Sequence, residues 1–444
     1  MTTLIWFRDD LRLTDHPALH AAASESEDTV ALYVLDEESE HVRPLGGAAR
    51  WWLNHSLRAL SHDLGNLGVP LILRRGPAAV VVPEVARECG AKRIRWNRRY
   101  GPARQTDALI KAELCEAGRD ARSFPGDLLF EPWTVKTRQG TSYRVYSAFW
   151  KAATAGRAPV RPLPAPHSLT AAPAQPGSEQ LDDWGLLPHA PDWAAGLAKR
   201  WSPGEAAAQE HLRSFLSNRL TDYADRDFPA RSAGSELSPH LRWGELSPRT
   251  VWHKALEAAG DPGAFLSELG WREFAKHTEY HAGSLAGANL DDRFDRFPWR
   301  MGPEVDTGEL RAWQRGRTGF GIVDAGMREL WQTGFMHNRV RMIAASLLTK
   351  NLLFDWHIGE AWFWDTLVDA DGASNPFNWQ WVAGCGADAA PYFRIFNPEL
   401  QQRRFDPEGH YTNRWAPDSA ALTPLVDLRE SRARALEAYR SLPH

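Results

Sequence analysis

The chain has 444 residues, roughly two to three times the length of a typical single domain, so at least two hydrophobic cores are expected. Lys and Arg number 52 against 56 Asp and Glu, which gives a net charge of −4, and 43% of the residues are hydrophobic. These values exclude an intrinsically disordered chain, a collagen-like fibre and a strongly basic nucleic-acid coat.

Short apolar runs and amphipathic stretches alternate over residues 1–130. The apolar runs predict buried strands at 4–7, 30–35, 71–73 and 93–96, and the amphipathic stretches predict helices at 46–66, 77–89 and 102–117. This alternation is typical of an α/β domain with a doubly wound parallel sheet. The first run continues into Phe7-Arg8-Asp9-Asp10, which is bulky and charged where a pyrophosphate needs bare glycine backbone, so the usual dinucleotide fingerprint is absent.

Residues 131–200 are predicted to form an interdomain connector, because proline is frequent from about 155 onward and interrupts regular elements. Strand signals fade beyond Trp201. The segments 326–353 and 359–369 carry apolar residues at spacings of three and four, so residues 201–444 are predicted to form an all-helical domain. Thirteen of the 21 tryptophans lie in this part, which concentrates the indole excess of the chain there.

Cysteine usage and the N-terminal residues bear on the cellular compartment. Cys89, Cys115 and Cys385 are widely spaced and form no CxxC pair, which excludes a disulfide scaffold and a zinc finger. The first residues leave no room for the apolar region of a signal peptide, and no stretch approaches membrane-spanning length. We therefore expect a cytoplasmic protein with reduced thiols, no membrane partner and no bound metal.

The densest group of polar and aromatic residues lies at 367–398. Asp369 and Asp371 are followed closely by Asn375, Trp379 and Trp381, in a segment whose Gly and Pro content predicts a loop that lines a site. The alternative is that the aspartates cap the next helix and the tryptophans fill the core. A calcium loop of the EF-hand type is disfavoured, because the later oxygen ligands are missing.

Two helical segments carry further polar groups. Asn338, Arg341 and Met342 share one helix face, although Arg339 and Arg341 are also compatible with a solvated surface. Glu268 and Arg272 lie one helical turn apart, and an ordinary exposed ion pair between them is the alternative to a site. The hydroxyl-rich segment 233–239 precedes a helix and is suited either to phosphate binding or to simple capping.

Taken together and in this order, the motifs resemble the photolyase and cryptochrome family of flavoproteins. The resemblance is carried by WFRDDLRLTDHPAL at 6–19, SELSPHLRWGELSPR at 235–249, ELGWREF at 268–274, GFMHNRVRM at 334–342 and GADAAPYFRIFNP at 386–398. The phrases RPLGGAARWWL at 43–53, WNRRYG at 96–101 and FNWQWVAG at 377–384 resemble the bacterial class III branch most.

The resemblance implies an FAD bound in a U shape within the helical domain. Ser235, Leu237 and Ser238 would hold its diphosphate, and Arg341, Asp369 and Asp371 would surround the isoalloxazine and the ribityl chain. The other implied contacts to FAD are Tyr223, Glu236, Phe265, Arg272 and Asn338. Glu236 stands where many relatives have arginine and Gly234 where they have threonine, which weakens the expected grip on the diphosphate.

Asn375 is expected to face flavin N5 and to favour the reduced flavin that donates an electron. Plant cryptochromes carry aspartate at this position, so the asparagine favours repair over signalling. The resemblance therefore implies a light-driven lyase that splits cyclobutane pyrimidine dimers in DNA. The alternatives are a blue-light receptor without repair activity and a nucleic-acid-binding flavoprotein that has lost its photochemistry.

Repair implies that UV-damaged DNA presents a pyrimidine dimer flipped out of the duplex. The residues implied for the pocket wall are Glu268, Trp271, Asn338, Met342 and Trp381. Glu268, Asn338 and Met342 are the expected catalytic residues, with Glu268 hydrogen-bonded to a thymine carbonyl. Asn338 after His337 matches the cyclobutane-dimer enzymes. The arginines implied for the phosphates beside the lesion are Arg226, Arg339, Arg403 and Arg404.

Three tryptophans occupy positions of the electron-transfer chain of the family: Trp379, Trp356 and Trp299. The resemblance also implies a second, light-harvesting chromophore in the N-terminal domain, which the class III relatives suggest to be a methenyltetrahydrofolate. The strand end at Asp36-Glu37-Glu38 is a candidate lip of its pocket. The protein is expected to be a monomer.

Overall fold

The structure is a computed structural model that describes residues 1–25, 28–156, 158–301, 308–389 and 393–443. Its N-terminal part holds a parallel sheet with the strand order β3-β2-β1-β4-β5. The strands are β1 (Thr2–Phe7), β2 (Asp28–Leu35), β3 (Leu71–Arg75), β4 (Arg93–Asn97) and β5 (Asp120–Phe124). The helices that connect them are α1 (Pro17–Ser24), α2 (Gly47–Asn66), α3 (Ala78–Glu88) and α4 (Arg104–Glu116). The predicted doubly wound sheet is confirmed.

Both faces of the sheet are buried, because successive side chains of each strand point to opposite sides. In β1, Ile5 and Phe7 join a core that includes residues of α2, whereas Leu4 and Trp6 join a core with α3 and α4. This arrangement explains why the strands appear in the sequence as continuous apolar runs. Strand β5 has no such run and was not predicted.

The charged residues after β1 hold the two halves of the chain together. The Arg12 guanidinium donates hydrogen bonds to the carbonyl oxygens of Gly244 at 2.8 Å and Gly126 at 2.7 Å. Arg249 forms a buried ion pair with Asp15 at 2.9 Å. Gly244 has φ +63°, and a Cβ there would overlap the carbonyl oxygen of Asp9, so only glycine permits this approach. The charged segment after β1, which lacks the dinucleotide fingerprint, thus joins the sheet part of the chain to the helical part.

Residues 131–200 contain more regular structure than their proline content predicts. They form α5 (Tyr146–Thr154), β6 (Thr170–Ala171), a 3₁₀ turn (Leu181–Trp184) and α6 (Ala195–Arg200). The expectation that proline interrupts every element is wrong here, because the prolines lie between these short elements. Trp184 packs against Tyr33 of the sheet, and Phe149 packs against Phe274 of the helical part. The segment contacts both parts, and the domain limits at 130 and 200 stay a prediction.

The remaining chain is helical, as predicted. Its helices are α7 (Glu205–Asn218), α8 (Ser238–Arg242), α9 (Pro248–Glu257), α10 (Gly263–Ala282), α11 (Gly308–Gln314), α12 (Gly321–Thr333), α13 (Asn338–Ser346), α14 (Trp356–Thr366), α15 (Ser374–Ala383), α16 (Pro398–Phe405), α17 (His410–Trp415) and α18 (Leu428–Arg440). In the described ranges, no helix is both long and apolar enough to cross a bilayer.

Two predicted boundaries need correction. The segment 326–353 is interrupted, because Gly334 at φ +67° ends α12 and a new helix, α13, begins after His337. The Nδ1 atom of His337 caps α13 by accepting from the Arg339 backbone N–H at 3.2 Å. The segment 367–398 is not all loop, because α15 lies within it. Pro376 falls in the first turn of α15, where its missing N–H has no intrahelical partner to lose.

Glu273 of α10 makes the stability of the fold depend on pH. Its carboxyl is fully buried and accepts from the backbone N–H groups of Leu129 at 2.9 Å and Phe130 at 3.2 Å. Burial raises the pKa of Glu273 from its ordinary 4.5 to about 8, against the opposing charge of Arg272 and these two N–H groups. The carboxyl is therefore protonated in the native protein at pH 7 and ionised in the unfolded chain.

Because the folded pKa lies above the unfolded one, the free energy of unfolding should fall as pH rises between these two values. The Glu273→Gln variant keeps an acceptor for both N–H groups and cannot ionise. Between pH 6 and 8, we expect the free energy of unfolding to fall by about 2 kcal/mol less in this variant than in wild type. Urea unfolding at the two pH values measures this difference. Glu113→Gln, at an exposed position of α4, is the control, and equal slopes in all three proteins would contradict the prediction.

Candidate active site and cofactor cavity

A cavity of about 750 Å³ lies in the helical part. It brings together most of the residues that the sequence singles out, although they are spread over more than 150 positions. These are Tyr223, Arg226, Ser235, Glu236, Leu237, Ser238, Phe265, Glu268, Trp271, Arg272, Asn338, Arg339, Arg341, Met342, Asp369, Asp371, Asn375, Trp379 and Trp381. Trp356, Trp299, Arg403 and Arg404 do not line the cavity.

One wall of the cavity is built on Asp369. Arg341 of α13 binds its carboxylate in bidentate fashion, at 3.1 Å from Nη1 to Oδ1 and 2.8 Å from Nη2 to Oδ2. The Ser238 hydroxyl donates to Oδ2 at 2.6 Å. The Asp369 side chain is only 4% exposed, so this ion pair is not the solvated helix surface that the sequence left open for Arg341.

Asp371 serves two purposes. Its Oδ1 accepts from the backbone N–H groups of Ala373 at 2.9 Å and Ser374 at 2.7 Å, so it caps the start of α15, as the alternative interpretation held. Burial alone would raise the pKa of Asp371, but the charges of Lys276, Arg242 and Arg272 and the Ser374 N–H hold it below its ordinary value. The cap is therefore also a carboxylate that lines the cavity.

The amide of Asn375 has a fixed orientation. Its Nδ2 donates to Oε1 of Glu360 at 2.8 Å and to the backbone oxygen of Glu360 at 3.1 Å. Glu360 in turn accepts two hydrogen bonds from Arg43, at 2.7 and 2.9 Å. Sequence reasoning missed Glu360 and Arg43. No local pattern links them, because 317 positions separate the two residues.

Glu268 does not pair with Arg272, so the alternative of an ordinary exposed ion pair between them is wrong. Arg272 turns toward Asp127, with which it forms an ion pair and a hydrogen bond to the backbone oxygen at 2.8 Å. Glu268 instead accepts from Arg226 at 3.1 Å. Burial raises the pKa of the Glu268 carboxyl, and the charge of Arg226 opposes this rise.

Two indoles form aromatic walls. Trp271 stacks on Tyr146 with ring centroids 3.8 Å apart and an interplanar angle of 12°. Trp381 lies near Phe396 at 6.4 Å and 26°, and the Arg394 guanidinium lies 5.0 Å from its ring centroid. Both indoles also line the cavity, so each presents aromatic surface to its interior.

The three tryptophans predicted for electron transfer differ in exposure. Trp379 lines the cavity, Trp356 is fully buried, and Trp299 is partly exposed. The Trp356 Nε1–H donates to Asn289 at 2.8 Å, and that of Trp299 donates to the Phe294 carbonyl at 3.1 Å. Among the described residues, the indole in ring contact with Trp379 is that of Trp313, at 6.3 Å.

The negative charge of Glu236, beside Ser235, is balanced by an arginine. Glu236 has φ +54° and forms an ion pair with Arg200 at 2.7 Å. Arg200 comes from α6 and also lines the cavity. It therefore offsets the negative charge that the sequence placed beside the expected diphosphate. Tyr223 and Phe265 pack edge to face at 5.4 Å nearby.

A second cavity of about 350 Å³ lies beside the sheet. Its lining includes the aromatic rings of Trp96, Tyr100, Trp133 and Tyr280 and the cations Arg98, Arg99, Arg104 and Lys111. The Arg104 guanidinium lies 4.1 Å from the Tyr280 ring centroid. The carboxylate of Asp36, at the strand end predicted to be a pocket lip, is already hydrogen-bonded within the chain. It accepts from the Ser39 hydroxyl at 2.7 Å and the Ala78 N–H at 3.0 Å.

The chain is similar to known proteins over nearly its whole length. Residues 3–167 match the family model described as DNA photolyase, and residues 265–426 match the FAD binding domain of DNA photolyase. The deoxyribodipyrimidine photo-lyase of Agrobacterium fabrum is 45% identical over 99% of this chain and 98% of its own. Cryptochrome-2 of Arabidopsis thaliana is 35% identical over 95% of this chain and 71% of its own.

A solved structure is similar over the same extent. The crystal structure of a bacterial class III photolyase from Agrobacterium tumefaciens superposes with a TM-score of 0.93, at 45% identity, and covers 99% of this chain and 97% of that one. The sheet and the helical part thus have a full-length counterpart. The chain belongs to the photolyase and cryptochrome family.

Proposed function

We propose that the protein is a deoxyribodipyrimidine photo-lyase that splits cyclobutane pyrimidine dimers in DNA with light. The observation that carries the proposal is that one cavity holds both sets of expected residues. Asp369, Arg341 and Asn375 belong to the flavin set, and Glu268 and Trp271 belong to the lesion set. An electron donor and its substrate would therefore be held side by side.

The residues of the cavity fit an FAD. The volume suits a folded dinucleotide, Ser235 and Ser238 both line the cavity, and the Asn375 Oδ1 accepts no hydrogen bond among the described residues. Bound FAD, once reduced, supplies the electron that light makes available. The chain holds it with the Arg341 and Asp369 ion pair and offers the Asn375 amide oxygen as an acceptor.

The lesion side is lined by groups suited to two covalently joined thymines that have left the base stack. Trp271 and Trp381 offer ring faces, and base stacking on each is worth ~1–3 kcal/mol. Glu268 accepts from Arg226 and would donate a hydrogen bond to a thymine carbonyl only once it carries a proton. Asn338 and Met342, which line the same cavity, would contact the flipped dimer from α13.

The surrounding arginines are proposed to hold the DNA phosphates. Arg226 and Arg339 already contact Glu268 and Asp227, so these carboxylates limit their free positive charge. Arg403 and Arg404 are exposed on α16 and are the better candidates for phosphate contacts, with affinity that falls as salt increases. We also propose that the protein acts as a monomer in the cytoplasm, where its DNA substrate lies.

We propose the 350 Å³ cavity as the site of a light-harvesting methenyltetrahydrofolate. Its aromatic rings suit a planar pterin, and Arg104 and Lys111 suit the carboxylates of a glutamate tail. The Asp36 strand end is less suitable, because its carboxylate is already used within the chain. Absorbance and mass of the chromophores released from the purified protein test this assignment.

The function is tested by illuminating the reduced protein with an oligothymidine that contains dimers. We expect light-dependent loss of the dimer, whereas a blue-light receptor without repair activity would leave it intact. Glu268→Ala should lower repair roughly two- to tenfold, the equivalent of a ~0.5–1.5 kcal/mol hydrogen bond, with FAD still bound. Glu210→Ala, on the exposed face of α7, is the control. Unchanged repair in Glu268→Ala would remove this residue from the site.

A further inference from the structure

The flavin-facing amide of α15 is connected to the N-terminal domain through two charged residues. Arg43 lies between β2 and α2 and donates to both carboxylate oxygens of Glu360, which is 3% exposed on α14. Oε1 of Glu360 then accepts from the Asn375 Nδ2. The series Arg43, Glu360 and Asn375 therefore runs from one domain into the cavity of the other.

The position of Arg43 is itself fixed by the contact between the domains. The Trp364 Nε1–H donates to the Pro44 carbonyl at 2.9 Å, and the Gly47 N–H donates to Asp365 at 2.8 Å. The Arg43 guanidinium also lies 4.1 Å from the Trp364 ring centroid. These contacts hold the guanidinium over α14 and leave it little freedom to move away from Glu360.

The chemistry of the three groups determines which way the amide points. Both oxygens of Glu360 accept from Arg43, and a carboxylate offers no donor, so the amide must turn its NH₂ toward Glu360. The Asn375 oxygen is then left for the cavity. An acceptor at this point favours the reduced flavin, whose N5 carries a proton, over the oxidised flavin, whose N5 is itself an acceptor.

We propose that Arg43 is a positioning residue that, through Glu360, sets the orientation of the Asn375 amide and thereby the redox balance of bound FAD. The inference rests on the proposed function, which places Asn375 before flavin N5. It gives the N-terminal domain a part in the redox chemistry in addition to any role as a holder of a second chromophore.

The test measures the midpoint potential of bound FAD in Arg43→Met, which keeps an apolar stem on Trp364 but removes the donors. We expect a shift toward the oxidised form, with roughly two- to tenfold less reduced FAD at a fixed potential. Glu360→Gln should shift it in the same direction, and Arg43→Lys should restore part of the effect. The control is Arg50→Met, which removes an equal charge from an ion pair with Glu37 in the same domain.

Loss of a positive charge could by itself disfavour reduced FAD, so the decisive measurement repeats Arg43→Met in an Asn375→Ala background. If Arg43 acts through the amide, adding Arg43→Met to Asn375→Ala should cause no further shift of the midpoint potential. An equal shift in both backgrounds, or a shift in Arg50→Met of the same size, overturns the inference. If Asn375→Ala alone leaves the potential unchanged, the proposed placement of Asn375 at the flavin fails instead.

Discussion

Asp369→Asn is expected to strip FAD from the protein. The substitution removes the charge that binds Arg341 in bidentate fashion and leaves that guanidinium without its partner in the cavity wall. Breaking a buried pair costs roughly 3–5 kcal/mol, and about 3 kcal/mol is expected here because Arg341 is only partly buried. This cost falls on the fold, and the part of it that displaces the cavity wall should raise the dissociation constant for FAD at least about tenfold, or ~1.4 kcal/mol. Flavin fluorescence after gel filtration of the purified variant measures the loss.

Two controls separate lost binding from lost folding. Asp418→Asn makes the same chemical change in an exposed ion pair with Arg328 and should retain FAD. Ser238→Ala keeps the Asp369 and Arg341 ion pair and removes the hydroxyl that donates to Asp369, so it should weaken FAD binding by only about 1 kcal/mol. Far-UV circular dichroism should be the same in all variants. Retention of FAD by a folded Asp369→Asn protein at the wild-type level would show that this wall does not hold the cofactor.

Trp356→Phe is expected to stop most of the light-driven reduction of bound FAD. A phenyl ring is much harder to oxidise than an indole, so the predicted electron-transfer chain of Trp379, Trp356 and Trp299 would be interrupted at its middle member. We expect the reduction rate under blue light to fall at least about tenfold, which corresponds to about 1.4 kcal/mol in the barrier. Absorbance at the flavin band during illumination with an external reductant follows this rate. Repair by chemically reduced protein should be unaffected.

Trp313→Phe is the matched control, because Trp313 is equally buried and is in ring contact with Trp379. If electrons pass through Trp356 and Trp299 to the surface, Trp313→Phe should reduce FAD at nearly the wild-type rate. The opposite pattern, with Trp313→Phe slow and Trp356→Phe fast, would place the route through Trp313 and contradict the predicted one.

Local patterns in the sequence predicted two kinds of element. These are strands that are buried on both faces and helices whose apolar residues recur at helical spacing. The first four strands and the long helices are of these kinds, because their apolar residues recur over short distances. Strand β5 lacks an apolar run, and α15 carries Pro376 in its first turn, so neither followed from the local pattern. The low helix propensity of proline does not prevent α15 from forming, because a backbone N–H in the first turn has no partner within the helix.

The cavity lining was predicted better than the partners of its residues. Motifs name residues such as Glu268 and Asn375, but which ion pair each side chain forms depends on where distant elements pack. Arg226 pairs with Glu268 although a nearer arginine lies one helical turn away. Arg43 and Arg200 reach the site from other parts of the chain, and neither belongs to a periodic pattern.

The joint made by Arg12 has a consequence for how DNA must enter. Arg12 is 2% exposed and hydrogen-bonded to both parts of the chain, and the fully buried Glu245 accepts from the Trp52 indole N–H at 3.0 Å. Separating the two parts would exchange these buried hydrogen bonds for bonds to water, at a net cost of about 1 kcal/mol each. We therefore expect the two parts to stay joined when DNA binds. Under the proposed function, the nucleic acid then does the bending and unstacking, so lesions that have already weakened their own base pairing should bind best.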